Sequence, residues 1–190
     1  MIKKAIFLFF ISFNYIIANT LILNDNTNYS DLISTSYQKT FIDKSAKLII
    51  DDMVKNTSFK QISKSNYKAS KNTIWTKLSI KNLSSKDLKL YFENNRPIID
   101  IIDVYIFKDE KAYKKIELGE NRDIKKRELQ TRKSTFSLQV EKNSKYTIYI
   151  MYKSYTSIST FWKIENQYNY ISSSTLESLS WGIFIGIIIT

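Results

Sequence analysis

The chain has 190 residues, of which 43% are hydrophobic, and this is enough to bury the core of one domain of ordinary size. Its formal net charge is +11, but lysines are spread along the whole length with acidic residues between them, which favours a solvated surface over a nucleic-acid interface. Neither cysteine nor histidine is present, which excludes disulfides, thiol chemistry, Cys/His zinc sites and a Ser-His-Asp triad.

Residues 1–18 have the pattern of a secretory signal peptide. Lys3 and Lys4 supply a positive start, a continuous apolar run follows, and Ala18 places a small residue at the cleavage position. An uncleaved membrane anchor is the alternative, because Ile16 is larger than the residue usually found two positions before the small residue at the cleavage site. Both interpretations predict that the rest of the chain is exported.

The middle of the chain predicts β-strands, after an N-terminal extension at residues 19–41. Side chains alternate between apolar and polar in six segments, which is the pattern of half-buried strands: 74–80, 88–92, 102–106, 136–140, 146–152 and 158–164. Further strands near Leu21 and Lys47 would bring the count to about eight, as in a jelly-roll sandwich. No helical stripe of about ten residues interrupts the series, so the fold class is all-β, without parallel βαβ units.

The C-terminal residues predict the start of a transmembrane helix at 173–190. Ser174 and Glu177 have the spacing of a capping box, which marks a helix start. The roughly ten apolar residues that follow would make about 15 Å of helix, half of a ~30 Å hydrocarbon layer. We therefore expect a membrane helix that this sequence contains only in part, with Trp181 at the interface. A buried C-terminal helix or strand of a soluble domain is the alternative.

The order of these features resembles one known family, the periplasmic sensor domain, extracellular type 2, of the seven-transmembrane receptors with diverse intracellular signalling modules. The resemblance rests on short motifs: the Trp75-led strand closing on Asn82, the strands 88–92 and 101–106, Gly119-Glu120, Arg127, 136–138 and the apolar 181–186. The chain departs from the family at Glu120, where Asp is usual, and in having no Pro between Gly119 and Arg127. Six further membrane helices and an output module are not in this sequence.

The resemblance implies a jelly-roll, carbohydrate-binding-like domain at 42–172, held in the periplasm at the inner membrane. It implies a small-molecule or carbohydrate ligand of unknown identity and, in the full-length receptor, an output that is commonly a diguanylate cyclase or a histidine kinase. A homodimer of that receptor is a further expectation. The alternative is a membrane-tethered periplasmic carbohydrate-binding module that does not signal.

Three aromatic or charged residues are the candidates for ligand contact. Trp75 lies on the otherwise polar face of its strand and could stack on a sugar ring, or it could pack under a loop. Tyr105 could extend that platform together with Tyr149 and Phe161, or all of them could form the second side of a two-sided core. Arg127 could clamp a carboxylate or phosphate.

The remaining motif residues are assigned structural roles. Arg127 could instead pair with Glu120 or Glu128, which would contribute little if the pair is exposed. Asn82 ends a strand and is the residue type of a turn, and Gly119 and Glu120 are family-motif positions.

The carboxylates do not predict an enzyme. Retaining glycoside hydrolysis needs two carboxyl groups about 5 Å apart on one wall, whereas Asp100 and Asp103 are three residues apart on a strand and point to opposite faces. Asp51 and Asp52 adjoin a loop without the spacing of a calcium site. We therefore predict no catalytic residue, no metal and no cofactor.

Overall fold

A computed structural model describes residues 20–61 and 64–189, so the predicted signal peptide lies outside the described residues. The regular elements, in chain order, are β1 (Thr20–Leu23), β2 (Lys39–Asp43), α1 (Ile50–Lys55), β3 (Asn66–Tyr67), β4 (Thr73–Asn82), β5 (Leu88–Asn94), β6 (Ile101–Lys108), β7 (Lys111–Leu118), β8 (Ser134–Val140), β9 (Lys145–Lys153), β10 (Ile158–Ser159), β11 (Trp162–Asn166) and α2 (Gln167–Ile189). Short 3-10 turns lie at Ser34–Ser36 and Ile124–Lys126.

A six-stranded sheet forms one layer. Its order is β1-β4-β9-β6-β7, and β2 pairs with β4 along the same edge as β1. The pairing is antiparallel except for β1, which runs parallel to β4. Residues 20–41, assigned to an extension from the sequence, thus contribute β1 and the start of β2 to the sheet, and Leu21 and Leu23 are buried in the core.

A three-stranded sheet of order β11-β5-β8 forms the second layer, and β10 pairs with β3 beside it. The main core lies between the layers, where Phe92 stacks on Phe136 at 4.6 Å and Phe136 meets Trp162 edge-on at 5.3 Å. One buried hydrogen bond joins the layers, because the Trp162 indole N–H donates to the Tyr152 hydroxyl at 2.6 Å. Burial raises the pKa of that hydroxyl, so it stays protonated. The predicted β-sandwich is confirmed.

The sixth predicted strand, 158–164, is interrupted at Thr160. The Thr160 N–H and hydroxyl both donate to the Ser65 carbonyl, at 2.8 and 3.2 Å. The Asn94 amide donates to the Ser159 carbonyl at 2.9 Å. These bonds turn the chain away from β3 and onto β5, so one alternating segment becomes β10 and β11 in different sheets.

Strand β7 was not predicted, and the strand predicted near Lys47 is wrong. β7 is an edge strand whose first five residues are all exposed, so it shows no apolar alternation, and lysines on both faces are typical of such edges. Lys47 lies instead in a loop held by Asp43, whose carboxylate accepts hydrogen bonds from the Ser45 N–H at 2.8 Å and the Leu48 N–H at 3.0 Å.

The outer face of the six-stranded sheet carries a second apolar cluster. Met53 of α1, Phe59, Trp75 and Tyr149 are buried there. α1 is short, and the Asp52 carboxylate accepts a hydrogen bond from the Ile49 N–H at 2.9 Å at its start. The large sheet is therefore apolar on both faces over part of its width.

Helix α2 begins seven residues before Ser174, so the predicted start is wrong. The Asn166 side chain accepts a hydrogen bond from the Asn169 N–H at 2.8 Å, which caps a helix that continues directly from β11. Its 23 residues correspond to about 34 Å. The span Gln167–Ile188 is long and apolar enough to cross a membrane, and its large apolar side chains from Leu176 to Ile188 are exposed rather than tucked into a core.

Candidate functional site

Trp75 lies in the outer cluster of the large sheet, between Phe41 on β2 and Met151 on β9. Its side chain is 0% exposed, and its ring stacks on Tyr105 at 6.0 Å with 25° between the planes. Its indole N–H has no hydrogen-bond partner among the described residues. The ring is therefore closed to a ligand in this conformation, and its observed role is packing.

The other predicted platform residues separate into two groups. Tyr105 and Tyr149 are cross-strand neighbours on β6 and β9, on the same face as Trp75. Phe161 lies between β10 and β11, outside this sheet. Two of the predicted aromatic residues thus join Trp75 in the outer cluster, while the third does not.

A groove of about 740 Å³ opens on this face beside α1 and is the main candidate ligand site. Phe59, Phe107 and Tyr149 supply aromatic surface, and Ser79 and Thr147 supply hydroxyls. One wall comes from the end of α1 and the residues after it; the remaining lining residues are Thr20, Tyr37, Lys39, Val54, Lys55, Asn56, Thr57, Lys77, Glu110 and Lys145. Sequence reasoning missed the groove, because its walls come from segments far apart in the chain.

The groove is strongly basic. Lys39, Lys55, Lys77 and Lys145 line it, against the single carboxylate of Glu110. Lys39 and Lys77 are directly opposite each other in the β2–β4 pair. The Lys77 ammonium lies 5.1 Å from the centre of the Tyr149 ring, which is a cation–π distance.

A hydrogen bond joins Arg127 to Gly119, the residue directly after β7. The Arg127 guanidinium donates to the Gly119 carbonyl at 2.5 Å and to the Thr131 carbonyl at 3.4 Å. It pairs with neither of the carboxylates considered from the sequence: Glu128 instead bonds Lys114 at 2.8 Å, and Glu120 is exposed. Gly119 has φ +108°, and a Cβ there would lie 2.5 Å from the Asp100 carbonyl oxygen, so this turn requires glycine.

Asn82 organises the turn between β4 and β5, as its residue type predicts. Its side-chain amide donates to the Val140 and Lys86 carbonyls at 3.0 and 2.9 Å. Its carbonyl oxygen accepts from the Ser84 N–H at 2.9 Å. All of its side-chain hydrogen bonds are used inside the fold, which is a structural role.

The carboxylates considered for catalysis are each engaged elsewhere. Asp103 is buried and pairs with Arg122 at 2.9 Å. Asp100 accepts a hydrogen bond from the Tyr155 N–H at 2.7 Å. Within residues 20–61 and 64–189, no group of three or more acidic side chains is placed to hold a metal ion.

A second cleft, of about 480 Å³, lies where α2 meets the three-stranded sheet. The Lys133 ammonium bridges Glu93 of β5 at 2.9 Å and Glu177 of α2 at 2.6 Å. Burial opposes the charge on Lys133, but the hydrogen bonds to Glu177 and Glu93 outweigh it and raise the pKa of the ammonium. Glu177, interpreted from the sequence as a capping residue, is therefore a tie between helix and sheet.

Two aromatic contacts strengthen this junction. Tyr91 of β5 stacks on Tyr170 of α2 with centroids 4.3 Å apart and 6° between the planes. The Arg132 guanidinium lies 5.4 Å from the Trp181 ring. Stacking thus holds the first turn of α2 against β5, and the loop before β8 contacts α2 further along, at Glu177 and Trp181.

The segment before β2 connects the groove to this junction. The Leu32 carbonyl accepts from the Ile164 N–H at 2.9 Å, and the Ser34 hydroxyl accepts from the Trp162 N–H at 3.1 Å. A few residues later, Tyr37 and Lys39 line the groove. One segment therefore touches the groove and also β11, the strand that continues into α2.

Three solved structures illustrate the chain's similarity to known folds. They are a β-glucosidase from Kluyveromyces marxianus in complex with glucose (TM-score 0.41, 10% identity, 79% of this chain and 18% of that one), a Cry1Da tryptic core variant from Bacillus thuringiensis (0.31, 8%, 78% and 25%) and a GH31 α-xylosidase from Xanthomonas citri (0.26, 11%, 76% and 16%). The chain spans a quarter or less of each of these proteins. No curated protein sequence matches it.

The family comparison is specific. The model of the family described as 7TMR-DISM extracellular 2 matches residues 35–166, from the turn before β2 to the last residue of β11. The match includes every lining residue of the basic groove except Thr20, and it ends where α2 begins. The chain belongs to the 7TMR-DISM extracellular 2 family.

Proposed function

We propose that this chain is the ligand-sensing region of a bacterial transmembrane receptor, with its sandwich in the periplasm and α2 entering the inner membrane. One observation carries the proposal: the family match ends at Asn166, and that residue caps α2. The sensor fold therefore passes directly into a helix that is long and apolar enough to cross a membrane. A displacement of β11 would move that helix with it.

Ligand binding can bias such a receptor only if the ligand prefers one of two arrangements. The contacts of Lys133 and Tyr170 fix how α2 leaves the sheet. A different packing of these contacts would give the helix a different exit angle. The output, by the family resemblance, would be a cytoplasmic diguanylate cyclase or histidine kinase, and the domain itself would bind without catalysis.

A membrane-tethered binding module is the second candidate, because α2 could serve as an anchor alone. The two candidates differ in what ligand does at the helix. A receptor requires ligand-dependent change at the contacts of Lys133 with α2, whereas a tethered module requires none.

Site-directed labelling tests the topology, because the chain has no cysteine of its own. Tyr155 is 80% exposed, so the full chain carrying Tyr155→Cys is expressed in a bacterium and treated with a membrane-impermeant maleimide in spheroplasts. We expect labelling before lysis and recovery in the membrane fraction. Ser134→Cys, at a site only 1% exposed, is the control and labels only after denaturation. Labelling of Tyr155→Cys only after lysis would overturn the proposal.

A further inference from the structure

The lysines of the groove are arranged in a way that folding alone does not favour. Lys39 and Lys77 are direct cross-strand partners, and like charges in that position destabilise a sheet. Lys81 and Lys145 form a second such pair in the β4–β9 ladder. Elsewhere an acidic side chain neutralises a lysine of the same sheet, for example Glu117 beside Lys115 at 2.6 Å.

The four groove lysines have no such partner. Among the described residues, no ion pair involves Lys39, Lys55, Lys77 or Lys145. They surround a concave space, and their aliphatic stems and the neighbouring rings make part of that space apolar. The volume of about 740 Å³ is in the range of small-molecule sites.

We propose that this groove binds a small organic anion with at least two carboxylate or phosphate groups on a compact body. Two anionic groups match the separate lysines: one would be held by Lys39 and Lys77, and another by Lys55 or Lys145. The body would lie against Phe59, Phe107 and Tyr149. The inference rests on the proposed function, because it names the class of ligand that the sensor domain recognises.

The lysine geometry also indicates how binding would reach α2. An anion between Lys39 and Lys77 removes their repulsion and draws the start of β2 toward β4. The residues just before Lys39 are hydrogen-bonded to β11, through Ser34 and Trp162 at 3.1 Å. The anion would therefore stabilise one position of β11, the strand that leads into the helix.

Binding is tested on the full chain in detergent micelles at low ionic strength by titration calorimetry. The probes are citrate, inorganic phosphate and galacturonate, with neutral galactose as the matched uncharged sugar. We expect citrate to bind more tightly than galacturonate, galactose not to bind, and the affinity for citrate to fall as sodium chloride is added. Inorganic phosphate, which has one anionic group and no organic body, should bind more weakly than citrate.

Variants locate the site. Lys39→Gln with Lys77→Gln should weaken citrate binding about 100-fold, because each of the two substitutions removes one charge-assisted hydrogen bond, at about tenfold apiece. The same double variant should unfold without ligand at a temperature equal to or above that of the parent, because the opposed charges are gone. Lys68→Gln with Lys71→Gln removes two exposed lysines outside the groove and should keep citrate affinity within twofold.

Two results would overturn the inference. The first is no binding of any anionic probe to the parent chain, and the second is an equal fall in affinity in both double variants, which would indicate non-specific attraction to a basic protein. Neither result touches the topology measured with Tyr155→Cys. Labelling of Tyr155→Cys only after lysis would overturn the proposed function and would leave the binding measurements on the groove unaffected.

Discussion

Lys133→Met should loosen the first turns of α2 from the sheet. Lys133 lies 2.9 Å from Glu93 and 2.6 Å from Glu177, and its side chain is 22% exposed. Exposed ion pairs contribute about 0.2–1 kcal/mol, whereas removing one partner of a buried pair costs about 3–5 kcal/mol. Glu177 is 40% exposed, so the lost contact between Lys133 and α2 contributes near ~0.5 kcal/mol. Without the ammonium, the Glu93 and Glu177 carboxylates face each other, and their repulsion, which opening of α2 relieves, adds roughly 1 kcal/mol. The sum of about 1.5 kcal/mol corresponds to a roughly tenfold change in an opening equilibrium.

Hydrogen exchange of the full chain in micelles measures that opening. Amides of residues 170–177 should exchange about tenfold faster in Lys133→Met than in the parent, because the turns that carry them open more often. Lys114→Met is the matched control: it breaks the exposed pair with Glu128, in which the side chains are 42% and 43% exposed, far from α2 in sequence. If exchange of residues 170–177 in Lys133→Met stays within twofold of the parent, Lys133 does not hold α2 to the sheet.

Three further changes test the fold that positions the groove. Tyr152→Phe leaves the buried Trp162 N–H without an acceptor, which should cost about 1–3 kcal/mol and lower the thermal midpoint by about 2–4 °C per kcal/mol; an unchanged midpoint would contradict the inter-layer bond. Gly119→Ala meets the Asp100 carbonyl at 2.5 Å with φ at +108° and should destabilise the chain by about 1–3 kcal/mol in urea unfolding, whereas a neutral effect would show that this turn relaxes freely. Burial opposes ionisation of Asp43, but hydrogen bonds from its own loop outweigh it and lower the pKa of the carboxyl below its unfolded value. The stabilisation of the fold by the ionised Asp43 is therefore fully present above the unfolded pKa, near ~4, and is lost as pH falls through the folded pKa. Asp43→Asn should make the free energy of unfolding depend less on pH in this acid range than it does in the parent.

Local sequence patterns were enough to predict the layers of this protein. A half-buried strand must alternate its side chains, so β4, β5, β6, β8 and β9 are visible from period two alone. The apolar end of α2 is visible for the same kind of reason, because an exposed run of such residues is stable only in lipid or against a partner. β7 escaped prediction because an edge strand exposed on both faces has no alternation to show.

Contacts between distant segments could not be predicted in this way. Ser174 and Glu177 fit a capping box by spacing, but Glu177 pairs with Lys133 in the loop before β8, and Asn166 at the end of β11 caps the helix instead. The burial of Trp75 depends on α1 lying over the sheet.

The amino-acid sequence by itself determined that this protein is a sandwich of alternating strands followed by an apolar helix, because those properties depend on neighbours two to four positions away. Only the tertiary structure decided where the charges meet. Lys39 and Lys77 are unremarkable surface lysines until the β2–β4 register sets them opposite each other at the mouth of a groove. That register is set by pairing between strands that a long loop separates, so it cannot be predicted from the alternation of side chains within each strand.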